Sequence, residues 1–398
     1  MAAASGVGLA ATTDINFWHG LTAADGDTLG EMVKQFEKDN PTIRVKVQKI
    51  VWEALYDKLL VSMAAGKPPE VFIVHRDEFD WFRSAKALRV LDPYINGPNG
   101  IPKDDRVDTA WQAVSYNGKL YGVPLDNHNH NMVYNVDFFL QAGLDPGNPP
   151  TTGEEFLMAC QKLTKADANG KVTRPAWAMD MPYWDFLTVV YQSGVNLLNP
   201  ERTKATLATE GVAKGLIFLT DLRFKYKVSD FLGADRFVAG KAAIVTSGPW
   251  WENSYTKAKN LKWAAAPIPQ FGPVKATAAG GHCMFIPPVV TGKKLDASVR
   301  FVKWMSDHSV AWAKAGQLPV RKSALVSKEF LALPLQSAYA KMLPYDVFEP
   351  IVRRERDVRA AWWDNAAWKV MNGRGEAKQE LAKAADQINK ILATVNKK

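Results

Sequence analysis

The residues best equipped for chemistry gather at a few short places. One is the unbroken polar run Asp126-Asn127-His128-Asn129-His130-Asn131. In an extended segment Asp126, His128 and His130 point to one side, and all three are acceptable zinc ligands. They serve as well as ordinary hydrogen-bonding groups; we take that reading, with no metal and no cofactor expected. A second set follows two short apolar runs: Trp18-His19 after Ile15-Asn16-Phe17, and His75-Arg76-Asp77-Glu78 after Val71-Phe72-Ile73-Val74. A third is aromatic: Tyr183-Trp184-Asp185, Trp250-Trp251 after Ser247-Gly248-Pro249, and Trp362-Trp363. Gly280-Gly281-His282 offers close backbone approach beside a side chain. Planar rings and planar polar groups together suit a site that holds a ligand by stacking and hydrogen bonds.

The elements that position these groups read as alternating strands and helices. Ile15–Trp18 is a short strand. Thr28-x-x-Glu31 has the form of a capping box, followed by Leu29, Met32, Val33 and Phe36 at helical spacing. Asn40-Pro41 ends that helix. Ile43, Val45 and Val47 alternate with polar residues as in a strand. Trp52, Leu55, Tyr56, Leu59, Leu60 and Met63 form a helical stripe, so Trp52 reads as core, as does Trp304. Val71–Val74 reads as a strand buried on both faces. This β-α-β-α-β opening implies a mostly parallel sheet covered by helices, with ligands beyond the carboxyl ends of its strands.

Asn117-Gly118 between two short strands is a hairpin signal. Thr152-x-x-Glu155 repeats the capping box. A second α/β unit runs to about 275, and from about 295 the chain is mostly helical. Its last helix carries Leu381, Ala385, Ile388, Leu392 and Val395 on one face. No internal repeat or low-complexity linker interrupts the order.

The 398 residues suit two lobes of roughly 150–200 residues better than one core. Apolar residues at 47% and charged residues at 23% are an ordinary globular balance. No stretch approaches the ~20 apolar residues of a membrane span. The net charge of +9 is spread among acidic residues without a basic block, so nucleic acid is not an expected partner. Residues 1–11, MAAASGVGLAA, resemble the end of a signal peptide, with Gly8-Leu9-Ala10 fitting the small-x-small rule. Cys160 and Cys283 are expected as buried free thiols, although export would permit a disulfide.

Several segments resemble the extracellular sugar-binding proteins of ABC importers, the group that includes the maltose-binding protein. They are FEKDNPTIRVKV with YDKLLVSMAAGKPPEVFIV, NGKLYGVPLD with VYNVDFFLQAGLDP and PPTTGEEF, FVAGKAAIVTSGPWW with WAAAPIP, and GQLPVR. The resemblance runs from about residue 14 to the end. It implies an α/β, two-lobed periplasmic-binding-protein fold with several interlobe crossings, near 124–128, 275–281 and 322–326, and a helical C-terminal region. The lobes would be 12–124 plus 282–322, and 125–275 plus 326–398. A sugar, in the first instance an oligosaccharide, would be held in the interlobe cleft and enclosed by a hinge motion. The partners implied are that sugar and a membrane permease, the protein being exported, periplasmic or extracellular, and monomeric.

Under the resemblance Trp250 matches a sugar-stacking position, one of Trp362 and Trp363 a cleft aromatic, and Asp77 an acidic acceptor. Glu78 stands where the family often has a basic residue. His128 and Asn129 stand near an acidic cleft residue. The expected contacts are therefore Trp18, His19, Arg76, Asp77, Glu78, His128, Asn129, Tyr183, Trp184, Asp185, Trp250, Trp251, Gly281, His282, Trp362 and Trp363.

Two alternatives stay open. His19, His75, Arg76, His128, His130 and His282 could favour an anionic sugar or a sugar phosphate. A glycoside hydrolase would need two carboxyl groups flanking one bond, for which Asp77, Glu78 and Asp185 could be offered. No eightfold βα repeat, nucleophile elbow or phosphate loop accompanies them, so no enzyme is expected.

Overall fold

In the strand Val71–His75 the first four residues are apolar and buried on both faces, as its place inside a five-stranded sheet requires. A computed structural model describes residues 12–22, 24–97, 100–231 and 233–395; the expected signal remnant at 1–11 lies outside them. The sheet order is Ile43–Lys49, Thr13–His19, Val71–His75, His282–Phe285, Gly122–Pro124. The first three strands are parallel, as the β-α-β-α-β order requires. His282–Phe285 runs antiparallel to both of its neighbours, so the sheet is mixed. The alternation in Ile43–Lys49 marks an edge strand: Ile43 and Val45 are buried while Val47 is exposed.

A second five-stranded sheet repeats the plan in the order Ser229–Asp230, Trp177–Met179, Ile244–Ser247, Asn131–Asn135, Trp263–Ala266. Again three strands are parallel and Asn131–Asn135 is antiparallel to both neighbours. A smaller sheet joins Asp346–Phe348, Thr277–Gly280 and His128–Asn129. Trp177 sits fully buried in the core, its indole donating to Thr246 Oγ1 at 3.0 Å.

The chain forms two compact units. The first holds the chain up to Asp126, His282–Lys314 and Pro319–Ala324; the second holds Asn127–Gly281, Ala315–Leu318 and the chain from Leu325. The short excursion Ala315–Leu318 has no sequence signal. It exists because Leu318 and Asn127 exchange backbone hydrogen bonds of 2.9 Å in both directions.

The two capping-box patterns part ways. Thr152 accepts from the Glu155 amide at 3.2 Å, and Glu155 accepts from the Thr152 amide at 3.1 Å. Thr28 does not cap: the helix Ala24–Asp39 starts a turn earlier, with Asp25 and Asp27 in its first turn, and Glu31 pairs with Lys34 instead. Asn117 and Gly118 have φ of +48° and +73° between paired strands, the turn their types favour. Leu381, Ala385, Ile388 and Leu392 are buried along the helix Ala377–Val395, while the side chain of Val395 lies outside the described residues. Trp52 and Trp304 are half-buried, against the core reading of their stripes. Cys160 and Cys283 are buried free thiols, one in each unit.

Thr152→Ala should lower the stability of the second unit by about 1 kcal/mol. The effect would appear as a reduced urea midpoint at unchanged slope. An unmoved midpoint would show that the box carries no weight.

Candidate functional site

In the first unit a polar cluster stands at the carboxyl ends of the parallel strands. His19 ends the strand Thr13–His19 and is fully buried. Burial first, then the charges of Lys49 and His282, push its imidazole down to about 4, so it is neutral at neutral pH. Trp18 alternates to the other face of the strand, where Lys58 Nζ lies 4.4 Å from its ring centre, so it does not join His19. Arg76, Asp77 and Glu78 form one tight helical turn directly after Val71–His75, with Arg76 and Glu78 buried and Asp77 half-buried.

Asp126 anchors this cluster. It accepts from the His282 amide at 2.9 Å, from His282 Nδ1 at 2.9 Å and from Trp312 Nε1 at 2.7 Å. Burial disfavours a charged His282, but Asp126 outweighs it and the imidazole is raised above its ordinary range. Trp52 stacks on His282 at 5.4 Å and 12°, and lies 4.3 Å from His75. The Tyr56 hydroxyl pairs with His75 Nδ1. Trp52 and Tyr56 were missed as site residues because a helical stripe alone cannot tell which end of it leaves the core.

In the second unit the aromatics converge. His128 stacks on Trp184 at 5.6 Å and 23° and meets Trp250 edge-on at 5.5 Å. Trp184 and Trp250 are perpendicular at 5.9 Å. Tyr183 meets Trp184 at 6.2 Å and Trp363 at 6.0 Å. Two glycines permit these approaches. A Cβ on Gly280 would lie 2.6 Å from His128 Nε2, and one on Gly248 would lie 1.8 Å from the Trp250 ring. Gly281, which follows the first of them, is buried.

Asp180 organises the tryptophan turn. Its Oδ2 accepts from Ser247 Oγ at 2.7 Å, Trp250 Nε1 at 3.3 Å and Trp251 Nε1 at 2.8 Å. Its Oδ1 receives the Ala234 amide at 3.3 Å. Sequence reasoning missed Asp180, although it follows the strand Trp177–Met179 at the end where ligand groups are expected. Glu252, next after the tryptophans, pairs with Gln336, and burial holds its carboxyl up at about 7.

Three of the expected contacts are turned to partners in the interior of the second unit. Asn129 is fully buried and donates to Asp346 Oδ1 at 2.8 Å and to the Tyr339 carbonyl at 3.2 Å. Asp185 is fully buried and 3.0 Å from His130 Nε2; burial raises its carboxyl while His130 opposes that shift. Trp362 is fully buried and stacks on Phe186 at 5.8 Å, which leaves half-buried Trp363 as the outward member of its pair. His130, between the strands His128–Asn129 and Asn131–Asn135, is thus fully buried with its Nε2 turned to Asp185.

Asp180→Ala leaves two indole N–H groups without their acceptor. A stability loss of about 1–2 kcal/mol should follow, with a changed near-ultraviolet circular dichroism spectrum; Asp180→Asn, which keeps one acceptor oxygen, should lose less. An unaltered spectrum would mean the tryptophans are held by packing alone. His19 gives a pH test. The folded pKa of about 4 lies below the ordinary 6.5. Between these values the unfolded chain binds a proton that the folded one refuses, so stability falls as pH drops through that window. His19→Asn should flatten this part of the stability profile; an equal slope in the variant would remove the assignment.

Residues 31–336 match the family model described as bacterial extracellular solute-binding protein. A maltooligosaccharide ABC transporter solute-binding lipoprotein of Streptococcus pneumoniae is 26% identical over 389 residues, covering 92% of this chain and 86% of its own. An ABC substrate-binding protein of Listeria monocytogenes, solved with cycloalternan, superposes with a TM-score of 0.82 at 26% identity, over 96% of this chain and 99% of that one. An sn-glycerol-3-phosphate-binding periplasmic protein of Brucella melitensis is 21% identical over 332 residues, covering 79% of this chain and 76% of its own. With the family model spanning most of its length, this chain belongs to the bacterial extracellular solute-binding proteins, the exported binding components of ABC importers, and is not an enzyme.

Proposed function

We propose that this protein captures a neutral sugar, an oligosaccharide, and presents it to the membrane permease of an ABC importer. The observation that carries the reading is the Asp180-anchored pair Trp250 and Trp251 beside Trp184, Tyr183 and His128. Sugar rings offer apolar C–H faces to such planes, and their hydroxyls need planar acceptors and donors at the edge. Around these rings the hydrogen-bonding acids are Asp180 and Glu252. Such acids suit hydroxyl donors, and the Asp180 carboxylate disfavours phosphate. In the first unit His19, Arg76, Asp77, Glu78 and His282 are the polar contacts of this proposal. Capture with hinge closure belongs to the same proposal, and an unchanged radius of gyration at saturating sugar would count against it.

An anionic ligand is the second reading, supported by the raised His282 imidazole and by the glycerol-phosphate relative. The Asp126 carboxylate already answers His282, which favours the neutral sugar.

The test is a thermal-shift screen of neutral oligosaccharides, uronic acids and glycerol-phosphate esters. A ligand at 100 times its Kd adds about 2.7 kcal/mol. Trp250→Ala should weaken a bound sugar by roughly thirtyfold, the loss of an interface anchor worth at least about 2 kcal/mol. Stabilisation by phosphate esters alone, with a steep salt dependence, would transfer the assignment to the anionic class.

A further inference from the structure

Beyond the inner platform the aromatic surface of the second unit continues. Trp363 lies 5.4 Å from Trp368, and Trp368 lies 4.9 Å from Phe231. Trp368 is 36% exposed, a large value for an indole, and Trp363 and Phe231 are half-buried. Polar groups border these rings. Arg223 spreads over Phe231 at 4.1 Å, donates to Asn372 Oδ1 at 3.2 Å and faces Asp230 at 3.7 Å.

The backbone explains how two tryptophans five residues apart come together. On an ordinary helix, residues i and i+5 point about 140° apart. Residues Trp363–Ala367 instead form a π-helical turn, closed by the Trp368 amide donating to the Trp363 carbonyl. That wider turn brings Trp368 round to the side of Trp363 while Ala366 and Ala367 stay buried. Such turns are rare and concentrate at functional sites. Here its consequence is an exposed indole instead of a better-packed core.

We propose that Trp368, Phe231 and Trp363 form an outer stacking subsite for the distal sugar units of an oligosaccharide. The inference rests on the carbohydrate reading and deepens it. The occupant follows from continuity: the half-buried or exposed rings Tyr183, Trp363, Trp368 and Phe231 are joined ring to ring at 4.9–6.0 Å, and Tyr183 leads through buried Trp184 to Trp250. A chain of sugar rings that reaches Tyr183 therefore meets further aromatic planes, edged by Arg223, Asp230 and Asn372, whose donors and acceptors suit hydroxyls.

The experiment measures affinity by calorimetry for linear glucan, xylan and mannan oligosaccharides of one to seven units, with the intact protein and with Trp368→Ala, Trp368→Phe and Phe231→Ala. For the series that binds, the intact protein should gain affinity with length. Trp368→Ala should lose about tenfold on the long members and much less on the shortest. Trp368→Phe should restore most of the loss, which separates stacking from folding defects, and melting temperatures of the unliganded variants check the latter. Equal losses at all lengths, or none at any length, would overturn the outer subsite while leaving the inner platform intact. If no neutral sugar of any length binds, the carbohydrate reading itself falls, and this subsite with it.

Discussion

Six consecutive polar residues, Asp126 to Asn131, are each 3% exposed or less. Polar groups taken from water cost free energy unless they are paired, so this run dictates much of what surrounds it. Asp126 accepts from His282 and Trp312, both of the first unit. From Asn127 onward the partners belong to the second unit: Leu318, Asp346, Tyr339, Asp185 and Ile268. The run also accounts for the small excursion Ala315–Leu318, which supplies the backbone that Asn127 needs.

The same economy shapes the aromatic platform. A half-buried indole is favoured by its area only if its N–H finds an acceptor. Asp180 accepts from two indoles and a hydroxyl at once, which fixes the Ser247–Trp251 turn with a single carboxylate. Gly248 and Gly280 then allow the rings to lie against backbone where any side chain would intrude. The result is a tryptophan turn whose two indoles are held by their edges. Family membership supplies the role of the chain in transport.

The two units also show why similar sheets carry different chemistry. Each places groups beyond the carboxyl ends of three parallel strands. In the first unit these are His19 and the Arg76–Glu78 turn, a polar set balanced by Asp126. In the second they are Asp180 and the Trp250–Trp251 turn. A returning antiparallel strand lies beside the parallel ones in each unit, His282–Phe285 in one and Asn131–Asn135 in the other.

Local chemistry was legible in the sequence wherever it is decided by neighbours along the chain. The Asn117-Gly118 turn, the Thr152–Glu155 cap, the strand Val71–Val74 and the apolar face of the last helix depend on φ preferences and spacing alone. Strand-end logic also placed Trp250, Trp251, His19 and Arg76 just beyond strand ends, where they stand. The Thr28 pattern failed because a capping box is only a possibility until the helix start is set by packing. Asn129, Asp185 and Trp362 were drawn inward, and Trp52 outward, because periodicity gives a direction around an axis but not what lies in that direction. The sequence by itself determined most of the elements, the family and the short polar and aromatic segments at the strand ends. Only the tertiary structure decided which members of those segments reach solvent and that Asp180 holds the tryptophans, since both depend on partners 50 or more residues away.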